Sequence, residues 1–444
     1  MGILSYKKKK LTSFQIIILG FSGVILMGTF LLMLPLSNRS NHASAFLDAL
    51  FTSVSAVCVT GLAVYDTATY WSDFGQLIIL LLIQIGGMGV ITAAAIFNMA
   101  SGRKISLMQR STMQEAIAAP KIGGIVRLTK FIVKVTFGLE MLGAAVMTPV
   151  FCRDFGIKGL WMALFHSVSA FCNAGFDLMG INQKFSSLTE YSANPVINLT
   201  IAALIIIGGI GFLTLEDIRI HQWHFHQYTM QSKVILCITA ILLFLPAVYF
   251  YLFEFSSIPF GQRILLSVFQ AVTPRTAGFN TADITAMSEA SQSIIILLML
   301  IGGSPGSTAG GMKTTTAAVL CSGAISTFCR NEHVHFFGRR IDHDAVKQAS
   351  AILLLYIMLF FSGGLIISIT ENLPMLTALF ETASAVGTVG LSLGITADLG
   401  TLSKWILILL MFLGRVGGLT LIFAALSGTQ RGGAKLPQEK IMVG

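Results

Sequence analysis

Four stretches of this sequence end in a glycine placed where successive backbone carbonyls could turn to one side. Residues 51–61 read FTSVSAVCVTG, residues 165–175 FHSVSAFCNAG and residues 380–390 FETASAVGTVG, sharing F-x-[ST]-[VA]-S-A-[VF]-[CG]-x-x-G without a gap. The divergent copy, FQAVTPRTAG at 269–278, is one residue shorter and keeps the phenylalanine, Val272, the hydroxyl of Thr273 and the final glycine. The closing glycines, Gly61, Gly175, Gly278 and Gly390, recur at intervals of 114, 103 and 112 residues, so the chain reads as a fourfold repeat. Glycine accepts backbone angles that strain other residues, and a ring of carbonyls can replace the water around a dehydrated cation. The expected ring is Val59, Thr60 and Gly61; Asn173, Ala174 and Gly175; Thr276, Ala277 and Gly278; and Thr388, Val389 and Gly390. It contains no carboxylates, which argues against a calcium-type filter.

Each glycine loop follows a short apolar run, near 46–57, 158–171, 261–273 and 374–386. A bilayer core needs about 20 apolar residues of helix, so these runs fit re-entrant half-helices whose negative dipole ends face the ion path. Longer runs near 14–36, 75–100, 131–151, 196–215, 232–253, 292–325, 348–370 and 402–427 predict eight spans. The expected fold is an all-α integral membrane protein: four membrane-pore-membrane repeats, with eight transmembrane helices and four re-entrant pore helices around a pseudo-fourfold axis. The repeats are 1–100 (pore loop 46–62), 101–216 (pore loop 158–176), 217–326 (pore loop 261–279, gate loop 302–314) and 327–430 (pore loop 374–391), followed by a cytoplasmic tail at 431–444.

The composition agrees: 54% of residues are hydrophobic, 11% are charged and the mean hydropathy is +0.79, outside the range of ordinary soluble domains. No polar interval is long enough to bury a core of its own, so any regulatory domain is expected on another chain. The net charge of +9 could suggest nucleic acid, but the basic residues cluster in alternate loops. Lys7 to Lys10, Arg103, Lys104, Arg110, Lys121, Arg127, Lys130, Arg219, Lys233, Arg330, Arg339, Arg340, Lys347, Arg431, Lys435 and Lys440 fall in one set of loops. The other set holds only Arg39, Arg153, Lys158, Lys184, Arg263 and Lys404, a bias that puts both termini in the cytoplasm. Six cysteines without a CxxC pair indicate neither a disulfide framework nor a metal cluster. The start is read as neither a cleaved signal nor a myristoylation site.

A second set of glycines, IGGMG at 85–89, IGGIG at 207–211, IGGSPG at 301–306 and LGRVGG at 413–418, reads chiefly as close packing between helices beneath the ring. In the third unit the stretch GGSPGSTAGGMKT is too rich in glycine, with a proline inside it, to continue a helix. Its residues Gly302, Gly303, Ser304, Pro305, Gly306, Ser307, Thr308, Ala309, Gly310, Gly311, Met312 and Lys313 form the expected gate, a polar loop obstructing the path. A nucleotide-binding reading fails because Met312 separates Gly311 from Lys313-Thr314 and no strand precedes the loop. Arg415, a costly cation at membrane depth, is assigned to the same gate, with a carbonyl contact as the plainer alternative. His221, His224 and His226 read as a surface loop, and His166 as a local hydrogen-bonding residue. No nucleophile, base and orienting partner occur together, so no enzyme is indicated.

Four such repeats, the segment FQAVTPRTAGFN, the start Thr388-Val389-Gly390 that matches the TVGYG loop of potassium channels, and the glycine-rich interruption of the third inner helix resemble the Trk/Ktr/HKT superfamily of potassium transporters. Within it, the length is similar to the membrane (pore) subunit of bacterial Ktr systems (KtrB-like). The resemblance implies potassium uptake across the bacterial cytoplasmic membrane through a channel-like pore, with potassium held by the filter backbone and 302–314 as intramembrane gate. Gly61 matches the glycine of potassium-selective members. It further implies a homodimer on a cytoplasmic RCK (KtrA-like) ring that binds nucleotide, no cofactor in this chain and no nucleic-acid partner. The tail KLPQEKIMVG resembles a segment that packs at the dimer interface. The competing reading is an alternating-access cation transporter that uses the broken third inner helix as its substrate site.

Overall fold

The computed structural model describes residues 12–101, 105–117, 123–331 and 333–417. Lys7 to Lys10, Arg103, Lys104, Lys121, Arg431, Lys435 and Lys440, the end of the span expected over 402–427, and the tail 431–444 lie outside the described residues.

The described chain is mostly helical. It begins with α1 (Ser13–Met33), α2 (Phe46–Val57), α3 (Thr67–Tyr70), α4 (Asp73–Met88), α5 (Val90–Ala100) and α6 (Leu107–Ile117). Next come α7 (Ile125–Phe155), α8 (Lys158–Phe171), α9 (Pro195–Ile210) and α10 (Phe212–His221), then α11 (Met230–Tyr249), α12 (Phe260–Val272), α13 (Glu289–Leu300) and α14 (Thr314–Phe328). A small hairpin, β1 (His335–Phe336) with β2 (Arg339–Arg340), leads to α15 (His343–Glu371), α16 (Met375–Gly387) and α17 (Thr401–Val416).

Helix starts follow local chemistry. The Thr12 hydroxyl accepts from the Gln15 amide at 3.3 Å while the Gln15 side chain accepts from the Thr12 amide at 3.1 Å, a reciprocal cap on α1. Asn194 caps α9, with Pro195 in the first turn where its missing N–H goes unused.

Among the described residues, four helices are long and apolar enough to cross a membrane: Ser13–Met33, Ile125–Phe155, Met230–Glu254 (α11 with its π-helical extension) and His343–Glu371. The count rises to six if α4 with α5 and α9 with α10 each form one bent span. The second long runs of the first and second units, expected over 75–100 and 196–215, are therefore bent rather than straight. α4 and α5 meet at 97°, and α9 and α10 at 96°. The turning residues are Gly89 (φ 85°) and Gly211 (φ 100°), angles that side chains with a Cβ rarely adopt. α17 likewise ends at Gly417 (φ 87°), and α13 and α14 are separated by 301–313 as expected.

The glycines expected to pack do so, but in a division of labour invisible in the sequence. Gly86, Gly208 and Gly414 press against the carbonyls of Val57, Phe171 and Val386 at the ends of α2, α8 and α16, where a Cβ would collide. Three residues after Gly86 and Gly208, Gly89 and Gly211 turn the chain, and Gly417, three after Gly414, has the same positive φ. Close backbone approach of this kind carries helix association where lipid removes the usual hydrophobic drive.

The short helices lean on the long helix before them. Ser53 Oγ donates to the Ile25 carbonyl at 2.7 Å and Ser167 Oγ to the Glu140 carbonyl at 2.6 Å. Gly28 and Gly143 make room for those hydroxyls.

Candidate functional site

The four short helices each start their motif with a buried phenylalanine, Phe51, Phe165, Phe269 and Phe380. Each then releases its loop through the same hydrogen bonds. The amides of Thr60, Ala174 and Val389 donate at 2.8 Å to the carbonyls of Ser55, Ser169 and Ser384, and Ala277 donates to Thr273 at 3.0 Å. The hydroxyls of those residues hold the next part of the loop. Ser55 and Ser384 accept from the amides of Gly61 and Gly390 at 3.1 and 2.9 Å, whereas Ser169 and Thr273 donate to the carbonyls of Phe176 and Phe279. The motif hydroxyl is therefore the tie between helix and loop, in the divergent copy as well.

Backbone handedness repeats too. Val59, Asn173, Thr276 and Thr388 have φ of 58°, 58°, 64° and 52°, and two residues on Gly61, Gly175, Gly278 and Gly390 have 92°, 70°, 82° and 94°. Left-handed conformations are costly for residues with a Cβ, yet every copy places one at the same position. The glycines meet in chain order. A Cβ on Gly61 would lie 2.5 Å from the Ala174 carbonyl oxygen, and one on Gly175 2.7 Å from that of Ala277. One on Gly278 would strike the Val389 carbonyl, and one on Gly390 the Thr60 carbonyl. The four loops thus close into a ring, with the first and last copies adjacent.

A cavity of about 160 Å³ is lined by all four ring glycines together with Asp177, Asn280, Ser392 and Thr396. A separate cavity of about 360 Å³ is lined by Gly87, Gly89, Pro305, Gly306, Lys313 and Arg415, among others. The loop 302–313 packs against the ends of the short helices. Thr308 Oγ1 donates to the Phe171 carbonyl at 3.1 Å, Gly311 lies against the Gly387 carbonyl, and Gly310 abuts the Thr388 side chain. Backbone bonds fasten it further: Ser304 and Thr308 amides to the carbonyls of Gly209 and Gly208 at 3.0 and 3.2 Å, and the Phe212 amide to Gly306 at 2.8 Å. Its two ends meet, since the Gly302 amide donates to the Met312 carbonyl at 2.8 Å.

Arg415 reaches this loop from α17. Its guanidinium donates to the Thr308 carbonyl on one side and to the Gly86 carbonyl, with Gly87 at 3.5 Å, on the other. Lys313 Nζ turns back onto the loop itself, donating to the carbonyls of Ala309 at 2.9 Å and Gly310 at 3.4 Å. Both cations bond to carbonyl oxygens, and among the described residues neither forms an ion pair with a carboxylate.

His166 is the local residue expected: Nδ1 lies 2.7 Å from the Met162 carbonyl, and Nε2 accepts from the Leu178 amide at 3.3 Å. His221 and His224 make surface contacts, with Gln227 and with the His221 carbonyl.

Three features escaped the sequence reading. Arg275, the arginine of the divergent copy, is buried, with Nη2 donating to Thr239 at 3.3 Å. Asp48 and Lys404 form a largely buried ion pair of 3.0 Å between α2 and the first turn of α17. Glu140 is buried at the middle of α7. The available signal was a charge inside an apolar or repeat segment, which by default marks function at membrane depth.

The family model described as TrkH, cation transport protein, matches residues 5–431. In sequence the chain is similar to the potassium/sodium uptake protein NtpJ of Enterococcus hirae, 38% identical over 98% of this chain and 98% of that protein. It is also similar to Ktr system potassium uptake protein B of Bacillus subtilis, 37% identical over 97% of this chain and 96% of that protein. In structure it is similar to the potassium transporter TrkH from Vibrio parahaemolyticus, with a TM-score of 0.72 at 21% identity, covering 94% of this chain and 86% of that one. That likeness is one of fold.

Proposed function

Because the chain belongs to the TrkH family of cation transport proteins, we propose that it takes up potassium across the bacterial cytoplasmic membrane through a selective, gated pore whose filter is the glycine ring. The observation that carries this reading is the closed contact of Gly61, Gly175, Gly278 and Gly390, each preceded by a left-handed residue two positions earlier. Alternating handedness lets successive carbonyls face one axis, where they stand in for the water shell of a dehydrated cation. The carboxyl ends of α2, α8, α12 and α16, the pore helices of four membrane-pore-membrane repeats, lend their negative dipole ends to the same point.

The loop 302–313 is the gate on this reading. Arg415 holds it shut by joining the Thr308 carbonyl to those of Gly86 and Gly87, and Lys313 adds a positive charge beneath the ring. Opening needs the loop to leave these partners, which a ligand bound elsewhere can favour only through different contacts in the two positions. A homodimer on a cytoplasmic RCK (KtrA-like) ring that binds nucleotide, with both termini of this chain on that side, completes the proposal. The naming of one relative as part of a Ktr system supports further subunits. Sodium dependence is included because another relative is named for potassium and sodium. Inward flux draws on the membrane potential, about 2.3 kcal/mol per charge per 100 mV.

Flux into proteoliposomes loaded under a set potential, comparing potassium, sodium and a neutral solute, tests the reading. Saturable potassium flux abolished by collapsing the potential is expected. Accumulation against the gradient without a potential would refute it.

A further inference from the structure

The proposed mechanism makes no use of Glu140, the middle residue of the apolar helix α7. Its carboxylate accepts from Gln84 Nε2, at 3.0 Å on one oxygen and 3.3 Å on the other, and from the Cys172 thiol at 3.7 Å. Among the described residues it belongs to no ion pair. Its neighbours offer no cation. α9 has no ionisable side chain, the only one on α4 is Asp73 at the opposite end from Gln84, on α8 Lys158 is exposed at the far end and His166 is engaged with Met162 and Leu178, and none of Arg127, Lys130, Lys134 and Arg153 on α7 itself pairs with Glu140. Arg415 stays across Gly87, bound to carbonyls. A buried carboxylate with neutral donors alone is expensive to keep, so the group either holds a proton or is charged when a cation stands nearby, and Glu140→Gln, which copies the neutral form, separates the two.

Packing does not explain the residue. Ser167 bonds the Glu140 carbonyl as Ser53 bonds that of Ile25, and Gly143 and Gly28 sit three residues further along their helices against the same two serines. Glu140 therefore occupies the place that isoleucine fills in the first unit. Cys172 likewise matches Cys58. Only the carboxylate is new, and through Cys172 it stands immediately behind Asn173, the first ring residue of its copy.

Resting on the potassium-pore reading, we propose that Glu140 is a positioning residue, the fixed negative counter-charge for the cation at the inner end of the ring. Gln84 aims the carboxylate, and the permeating ion supplies the positive partner that the protein omits. The charge strengthens ion binding from one side of the ring without touching the ion.

The test is a potassium titration of uptake into proteoliposomes by the wild type, Glu140→Gln and Glu140→Ile, the last copying the first unit. Both variants should raise the half-saturating concentration about tenfold, equivalent to about 1.4 kcal/mol, with maximal flux held within about twofold. Glu140→Asp, which keeps the charge, should restore most of the affinity and decides the matter if the neutral variants fail to assemble. An unchanged half-saturating concentration in the neutral variants, or a loss confined to maximal flux, overturns the inference while leaving the pore reading intact. A wild type without saturable potassium flux overturns both.

Discussion

The ring and the layer directly beneath it are made by the same four units, and they treat repetition differently. In the ring, sequences as unlike as Val59-Thr60-Gly61 and Asn173-Ala174-Gly175 take one backbone path and contact each other in turn. Beneath it, units one, two and four each pack one glycine on a short helix, units one and two turn at another three residues later, the third opens into 301–313, and the fourth sends Arg415 across to the Thr308 carbonyl of that loop. A structure that four copies build jointly tolerates no exception, because one displaced loop opens the ring. A moving part needs only one copy to depart. On the proposed function, the difference ties conduction to what the units share and control to what the third and fourth do not.

The sharpest way to break the comparison is a matched pair of alanines. Gly390 and Gly394 both have positive φ, 94° and 87°, but only Gly390 has a neighbour, the Thr60 carbonyl, in the way of a Cβ. Both substitutions carry about 1–2 kcal/mol of backbone strain. Gly390→Ala should lower selective potassium flux about a hundredfold or admit sodium, and Gly394→Ala should stay within about threefold of wild type. Equal losses in potassium and sodium flux assays would remove the ring from the pathway.

Next in size is deletion of Ser304 to Gly310, feasible because Gly302 and Gly311 already lie side by side. Potassium flux should rise about tenfold with ion preference unchanged, as expected when an obstruction is removed from an intact filter. A folded deletion that abolishes flux or changes the ion carried would favour an alternating-access site instead.

Arg415→Gln keeps one donor group and gives up the two-sided clamp. Unstimulated flux should increase about threefold, less than in the deletion, because hydrogen bonds to a charged group contribute about 1.5–3 kcal/mol and backbone bonds still hold the loop. Unaltered or reduced flux at normal protein levels would separate Arg415 from the gate.

The smallest effect is expected at Ser384, whose hydroxyl holds the Gly390 amide at 2.9 Å. Ser384→Ala should cost about 1 kcal/mol, read as an earlier thermal transition in detergent, with a modest loss of potassium preference. A larger loss of preference than at Gly390 would mean that the tie, rather than the ring, sets the ion.

What could be read from the sequence follows from the range of the forces involved. The four loops were legible because glycine and the motif hydroxyls act within a few residues, and the short helices appeared as apolar runs almost to their ends, 46–57 against Phe46–Val57. The interruption at 301–313 was legible because proline and glycine oppose a helix wherever they stand. The bends at Gly89 and Gly211 were not, since one left-handed residue leaves the hydropathy of the run unchanged. Nor were the partners of Arg415 and Glu140, because Gly86 and Thr308, like Gln84 and Cys172, come from distant stretches that only the packed bundle brings together.

The Asp48–Lys404 pair spans almost the whole length of the chain. Translation delivers Asp48 long before the lysine that neutralises it, and the same delay separates Gly61 from Gly390. Gly390, in the loop before α17, and Lys404, in the first turn of that helix, are both made late, so a nascent chain halted before α16 has neither a closed ring nor a partner for Asp48.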